Sequence, residues 1–111
     1  MIYKEPEFIT QKQVEDLLLS ENVDIVCEAL ISASLYISDN NWVESKCFEL
    51  LENKGTNIVI KKICLTALSH LVRIHSSIDK NRLKQYSKKI PPELKPYLND
   101  LKSDIKIFYQ D

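Results

Sequence analysis

Apolar residues recur at helical spacing through most of this chain of 111 residues, and the longest such pattern is Thr56 to Ser77, TNIVIKKICLTALSHLVRIHSS. On a helical projection Ile60, Ile63, Cys64, Ala67, Leu71 and Ile74 share one broad face, opposed by Lys62, Thr66, Ser69, Arg73 and Ser76. The pattern predicts an amphipathic central helix against which the other elements pack. Thr56 and Asn57 are both N-cap residues, and Gly55, the one glycine, stands where the preceding helix is expected to end in a left-handed turn.

Five shorter patterns flank it. Pro6 discourages a helix through Glu5, and Phe8 and Ile9 are expected to fold back on the first helix. That helix opens on a capping box, Thr10 with Gln13, and carries Val14, Leu17 and Leu18 to about Ser20. After a corner at Glu21 and Asn22, VDIVCEALISASLYIS offers Ile25, Val26, Ala29, Leu30, Ala33 and Ile37 as a buried stripe on a helix that is apolar nearly all round. Asp39 to Asn41 form a turn before a third helix whose face is Val43, Cys47, Leu50 and Leu51, with Trp42 expected to plug the seam against the first helix pair. Asp79 caps a fifth helix built on Leu83, Tyr86 and Ile90, which runs until Pro91 and Pro92 end it. The sixth spans Glu93 to Tyr109 on the stripe Leu94, Leu98, Leu101, Ile105 and Phe108, with Pro96 in its first turn.

Short corners predict three antiparallel hairpins, 10–38, 41–77 and 79–110, in one domain covering 1–111. An internal repeat supports the pairing: Leu17-Leu18 answers Leu50-Leu51, and Ile25, Ala29 and Leu30 answer Ile63, Ala67 and Leu68. The expected fold class is all-α, an α-solenoid of helix pairs, each needing its neighbour to bury its inner face.

Composition narrows the function classes. No run approaches the roughly 18 apolar residues of a membrane span, and MIYKEPEFITQK places charge where a secretory signal needs an apolar core, so a cytoplasmic protein is expected. Cys27, Cys47 and Cys64 are odd in number and fall inside predicted helices, which favours reduced, buried thiols. The net charge is −1, yet residues 1–55 carry eleven Asp and Glu against four Lys, while residues 56–111 carry eleven Lys and Arg against five Asp and Glu. Such asymmetry suits either a charged partner at one end or two halves that attract each other.

Chemistry is harder to find. His70 and His75 are five apart on one helix and point away from each other, so they do not share a metal, and His75 faces roughly the buried side. A single glycine builds no phosphate-cradling loop, and Asp100 and Asp104, one turn apart, resemble any solvated helix face. Neither catalysis nor a cofactor is expected. Two charged surfaces remain: a basic set of Lys80, Arg82, Lys84, Lys88, Lys89, Lys95, Lys102 and Lys106, suited to nucleic-acid phosphates, and an acidic set of Glu15, Asp16, Glu21, Asp24, Glu28, Asp39, Glu44, Glu49 and Glu52, suited to a basic protein.

The segment Asn41 to Ile78, together with the ending SDIKIF (103–108), resembles a small bacterial family of HEAT-like helical repeat proteins, through Trp42-Val43, Cys47, Leu50-Leu51, Ala67-Leu68, His70-Leu71, Arg73-Ile74-His75 and Asp104-Ile105-x-x-Phe108. His70, Arg73 and His75 are the matched positions that packing explains least. The chain resembles in particular the immunity proteins of contact-dependent growth inhibition systems, which implies that it binds and blocks a cognate toxin domain, commonly a nuclease such as an RNase. On that resemblance the acidic residues Glu15, Asp16, Glu21, Asp24, Glu28, Asp39 and Glu44 are the expected contact surface for the toxin's basic cleft, with no direct contact to nucleic acid or membrane. A helical-repeat scaffold or a nucleic-acid-binding module is the alternative.

Overall fold

A computed structural model describes residues 10–76 and 78–108. Among them are α1 (Gln11–Leu18), α2 (Val23–Tyr36), α3 (Asn40–Glu52), α4 (Ile58–His75), α5 (Lys80–Ser87) and α6 (Lys95–Phe108), with a 3-10 turn at Pro92–Leu94 and no strand. Local side chains start five of these helices. Thr10 Oγ1 accepts from the Gln13 N–H at 3.1 Å while Gln13 Oε1 accepts from the Thr10 N–H at 2.9 Å, the predicted capping box. Asn22, Asp39, Asn57 and Asp79 accept in the same way from the N–H groups of Asp24, Trp42, Val59 and Arg82. Each satisfies a donor that no preceding turn reaches, a contribution of about 1 kcal/mol per cap. α6 starts instead on the 3-10 turn after Pro91, and Pro96 falls in its first turn, where a missing N–H is no loss.

The corners differ from expectation in three places. Gly55 does not take a positive φ; Asn53 Oδ1 accepts its N–H at 2.8 Å, so a side chain closes the corner without a left-handed residue, and Asn57 rather than Thr56 caps α4. The left-handed residue is Ser76, at φ 52° and ψ 37°, whose N–H donates to the Val72 carbonyl at 2.8 Å and ends α4 at His75. α5 stops at Ser87, short of the predicted Pro91, and α6 begins at Lys95 rather than Glu93. Phe8, Ile9, Ser77 and Tyr109 lie outside the described residues.

α4 is the central element, with α2 and α6 on its flanks and α3 behind it. Two contacts on each flank set direction: Cys27 lies within electrostatic reach of Cys64 and Ser34 meets His70, while the Lys62 ammonium sits 5.6 Å from the Tyr97 ring centre and Arg73 meets Asp104. Thus α2, α4 and α6 run parallel. Enclosure on three sides spreads the buried arc of α4 over Cys64, Leu65, Ala67, Leu68, Ser69, Leu71 and Val72, displaced from the predicted stripe. Ile74 is consequently 53% exposed, Ser69 is buried, and His75 faces solvent rather than the core. Ile25, Leu17 and Phe108, each expected inside, also lie at the surface. Phe48, fully buried, joins the core from α3 although no expected stripe included it.

The remaining packing follows the sequence more closely. Val43, Cys47 and Leu51 of α3 and Leu94, Leu98 and Leu101 before and within α6 are buried, and each wholly buried leucine contributes about 1.5–3 kcal/mol by leaving water. Trp42 is half-buried against the core, with the Lys46 ammonium 5.5 Å from its ring centre. Cys47 and Cys64 are buried and Cys27 is half-buried, all three as free thiols; the Cys47 contact and burial together push the Cys64 thiol well up. α5 packs against α3, and a cleft of about 190 Å³ lined by Lys80, Leu83, Lys84, Ser87 and Lys102 lies between α5 and α6. No helix among the described residues is long and apolar enough to cross a membrane.

Candidate functional site

The flank where α4 meets α6 is lined by small and polar residues at its outer edge, and it does not close. Thr66, Ser69, His70 and Arg73 from α4 and Tyr97, Asp100, Ser103 and Asp104 from α6 line a cleft of about 230 Å³. Short side chains at Thr66, Ser69 and Ser103 leave the space, because parallel helices that face each other through leucines interdigitate instead. Of the three residues that packing explained least, this cleft takes in His70 and Arg73 but not His75, and it adds Asp104, which the sequence placed on a solvated face.

The tautomer of His70 follows from its neighbour. Ser34 Oγ gives its single proton to the Ile31 carbonyl at 2.7 Å, so at 3.2 Å from His70 Nδ1 it acts as the acceptor and the imidazole donates. In the neutral ring this leaves Nε2 with a lone pair. Burial holds the His70 pKa below its ordinary value, Arg73 adds to the effect, and Asp104 opposes it. The neutral ring therefore dominates at neutral pH.

Asp104 is the buried charge of the cleft, with 6% of its surface exposed. Arg73 Nη2 approaches Asp104 Oδ2 to 3.1 Å, yet that oxygen accepts no aligned hydrogen bond, so the pair is a charge contact rather than a donor–acceptor fit. The Arg73 side chain is itself 54% exposed. Thr66 Oγ1 donates to the Lys62 carbonyl at 3.2 Å, which turns its lone pairs toward other partners. Asp100, expected on a solvated face, lines the same cleft one turn before Asp104.

The acidic set divides into two kinds. Glu15, Asp16, Glu21, Asp24 and Glu28 are exposed on α1, α2 and the corner between them, and their carboxylates have no hydrogen bond or ion pair with any described residue. Asp39 and Glu44 already serve the fold. Asp39 Oδ1 caps α3 and its Oδ2 takes Gln11 Nε2 at 3.5 Å. Glu44 Oε1 accepts the Asp79 N–H at 3.2 Å from a half-buried position, and burial pushes its carboxyl up. Beyond the seven expected contact residues, Glu49 pairs with Lys46 and Glu52 with Arg82.

Among the described residues no group of three His, Cys, Asp or Glu side chains could hold a metal ion. Compared with known proteins, the chain matches no family model, no curated protein and no solved structure.

Proposed function

We propose that this chain is an immunity protein, a HEAT-like solenoid of three helix hairpins that works in the cytoplasm by binding a cognate toxin domain of nuclease type. The observation that carries the reading is the set of five carboxylates on α1, α2 and the corner between them that have no partner among the described residues, while those of α3 are paired or capping. Residues 10–36 hold these five against one lysine, Lys12, which is a surface of one sign. Such a surface steers toward the basic substrate cleft of a nuclease and excludes its anionic substrate by occupancy, with no chemistry of its own. The resemblance of Asn41 to Ile78 and of the ending SDIKIF to immunity proteins supports the same reading.

The test is to read the genes flanking this chain and to co-express any toxic domain found there: survival that depends on this chain supports the reading, and death regardless of its presence, or no such gene, overturns it. A second reading, binding of nucleic-acid phosphates, is favoured by the three lysines that line the cleft between α5 and α6. Direct binding of RNA or DNA without protection against any toxin would put it first.

A further inference from the structure

The cleft between α4 and α6 has an excess of acceptors. Asp100 and Asp104 stand one turn apart on one wall; on the other are His70, whose Nδ1 is committed to Ser34, and Thr66, whose proton is committed to the Lys62 carbonyl. The charged groups lining it are Arg73, Asp100 and Asp104, a formal balance of −1 with His70 neutral. Asp104 Oδ2 is buried, and although Arg73 Nη2 stands 3.1 Å away as a charge contact, the oxygen accepts no aligned hydrogen bond. A buried carboxylate in that condition is costly and is satisfied by a donor that arrives with charge.

We propose that this cleft is a binding site for a guanidinium group, which enters between α4 and α6, donates to Asp104 Oδ2 and Asp100, and places a further N–H at His70 Nε2. A guanidinium fits because its five donors form a planar fork that reaches acceptors on both walls at once, whereas the three donors of an ammonium spring from one atom. Arg73 reaches Asp104 with one misaligned nitrogen and is more than half exposed, so it yields the position to a better-aligned fork. The site lies apart from the carboxylates of α1 and α2 and does not depend on the toxin reading.

Amide chemical shifts of the isotope-labelled protein, titrated with three probes, test this. The probes are an arginine blocked at both backbone ends, free arginine, and a blocked citrulline, which has the same shape without the charge. Saturable shifts centred on Ser69, His70, Arg73, Ser103 and Asp104 are expected with arginine and not with citrulline. Binding of the blocked form identifies a peptide or protein side chain as a sufficient source; binding of free arginine alone identifies a small molecule. Asp104→Asn should weaken binding by about tenfold or more, the loss of one charge-assisted hydrogen bond. Arg73→Gln should strengthen it, because a like charge leaves the cleft, and this variant carries the test if Asp104→Asn fails to fold. Equal shifts with citrulline, unchanged affinity in folded Asp104→Asn, weaker binding in Arg73→Gln, or no shifts at millimolar arginine would overturn the proposal.

Discussion

Arg82 grips Glu52 with two parallel hydrogen bonds, Nε to Oε2 at 2.9 Å and Nη2 to Oε1 at 2.8 Å, and so ties α5 to α3. The same guanidinium lies 5.1 Å from the Phe48 ring centre. Because α5 has only Leu83 and Tyr86 buried, polar ties form a large part of what anchors it. Glu44, accepting the N–H of the residue that caps α5, is another.

These two carboxylates should respond oppositely to neutralisation. The Arg82 hydrogen bond holds Glu52 below the usual carboxylate range, so its stabilisation is present above that range and is lost as pH falls through the folded value. Glu52→Gln should cost about 0.5–1 kcal/mol at neutral pH, a modest figure because the pair is solvent-accessible, and should flatten the acid limb of the stability profile. Burial raises Glu44 instead, so ionisation there opposes folding at neutral pH and the opposition fades as pH falls. Glu44→Gln keeps an acceptor for the Asp79 N–H and should be neutral or stabilising. Urea midpoints of both variants at neutral and acidic pH check the pair; a loss of stability in Glu44→Gln as large as in Glu52→Gln would contradict it.

His70 gives a second pH dependence. Its folded pKa is depressed, so the contribution is full above the unfolded value of about 6.5 and is lost as pH falls through the folded value. The melting temperature of the native protein should therefore drop as pH is lowered from neutral through this window, and the drop should shrink in His70→Gln. An imidazole titration by NMR should place His70 below the ordinary histidine value. A His70 that titrates above it would mean that Asp104 outweighs burial and Arg73.

The core separates positions that sequence periodicity alone treats alike. Leu68 and Leu101 are fully buried, so truncation to alanine should cost about 2–5 kcal/mol each. Ile74 shares the stripe by spacing but is half exposed, and Ile74→Ala should cost about 0.5 kcal/mol or less. Denaturant unfolding of the three variants decides the rotation of α4: equal costs at Ile74 and Leu68 would restore the predicted stripe.

What the sequence makes legible here is local. Thr10, Asp79 and Asn57 cap their helices because the accepting oxygen and the donating N–H are within three residues of each other, a relationship that spacing displays directly. The rotation of α4 was not legible, since periodicity gives a face but not how many neighbours enclose it, and enclosure by α2, α3 and α6 widened the buried arc. The cleft was half legible. His70 and Arg73 stand out in the sequence one by one, but Ser34 meets His70 and Arg73 meets Asp104 only through the register of three parallel helices. Nothing in the spacing of Asp100 and Asp104 separates a solvated face from the wall of a cleft.

Tyr86 carries a cost that a single atom would remove. Its hydroxyl is buried without a hydrogen bond, and burial pushes its pKa up. An unsatisfied buried hydroxyl forfeits its hydration, so Tyr86→Phe should leave stability unchanged or raise it by up to about 1 kcal/mol. Thermal unfolding reads the difference. A marked loss in Tyr86→Phe would show that the hydroxyl has a partner in solution.

The carboxylates of α1 and α2, unpaired among the described residues, test the proposed immunity function. Asp24 and Glu28 stand one turn apart on α2, exposed and unpaired, and make the compact centre of the acidic surface. Reversing both to lysine should weaken toxin binding far more than reversing Lys88 and Lys89, and the loss should lie mainly in the association rate, because rim charges act through steering. Asp24 also favours the start of α2, worth about 0.3–1 kcal/mol, so the melting temperature of the double variant must be measured beside its binding. Raising salt from about 0.05 to about 0.5 M shortens the Debye length to about 4 Å and should slow association of the native protein while leaving the reversed variant nearly unaffected. Should the lysine reversals abolish protection in cells while Asp24→Lys with Glu28→Lys preserves it, the inhibitory surface lies on the basic side of the molecule.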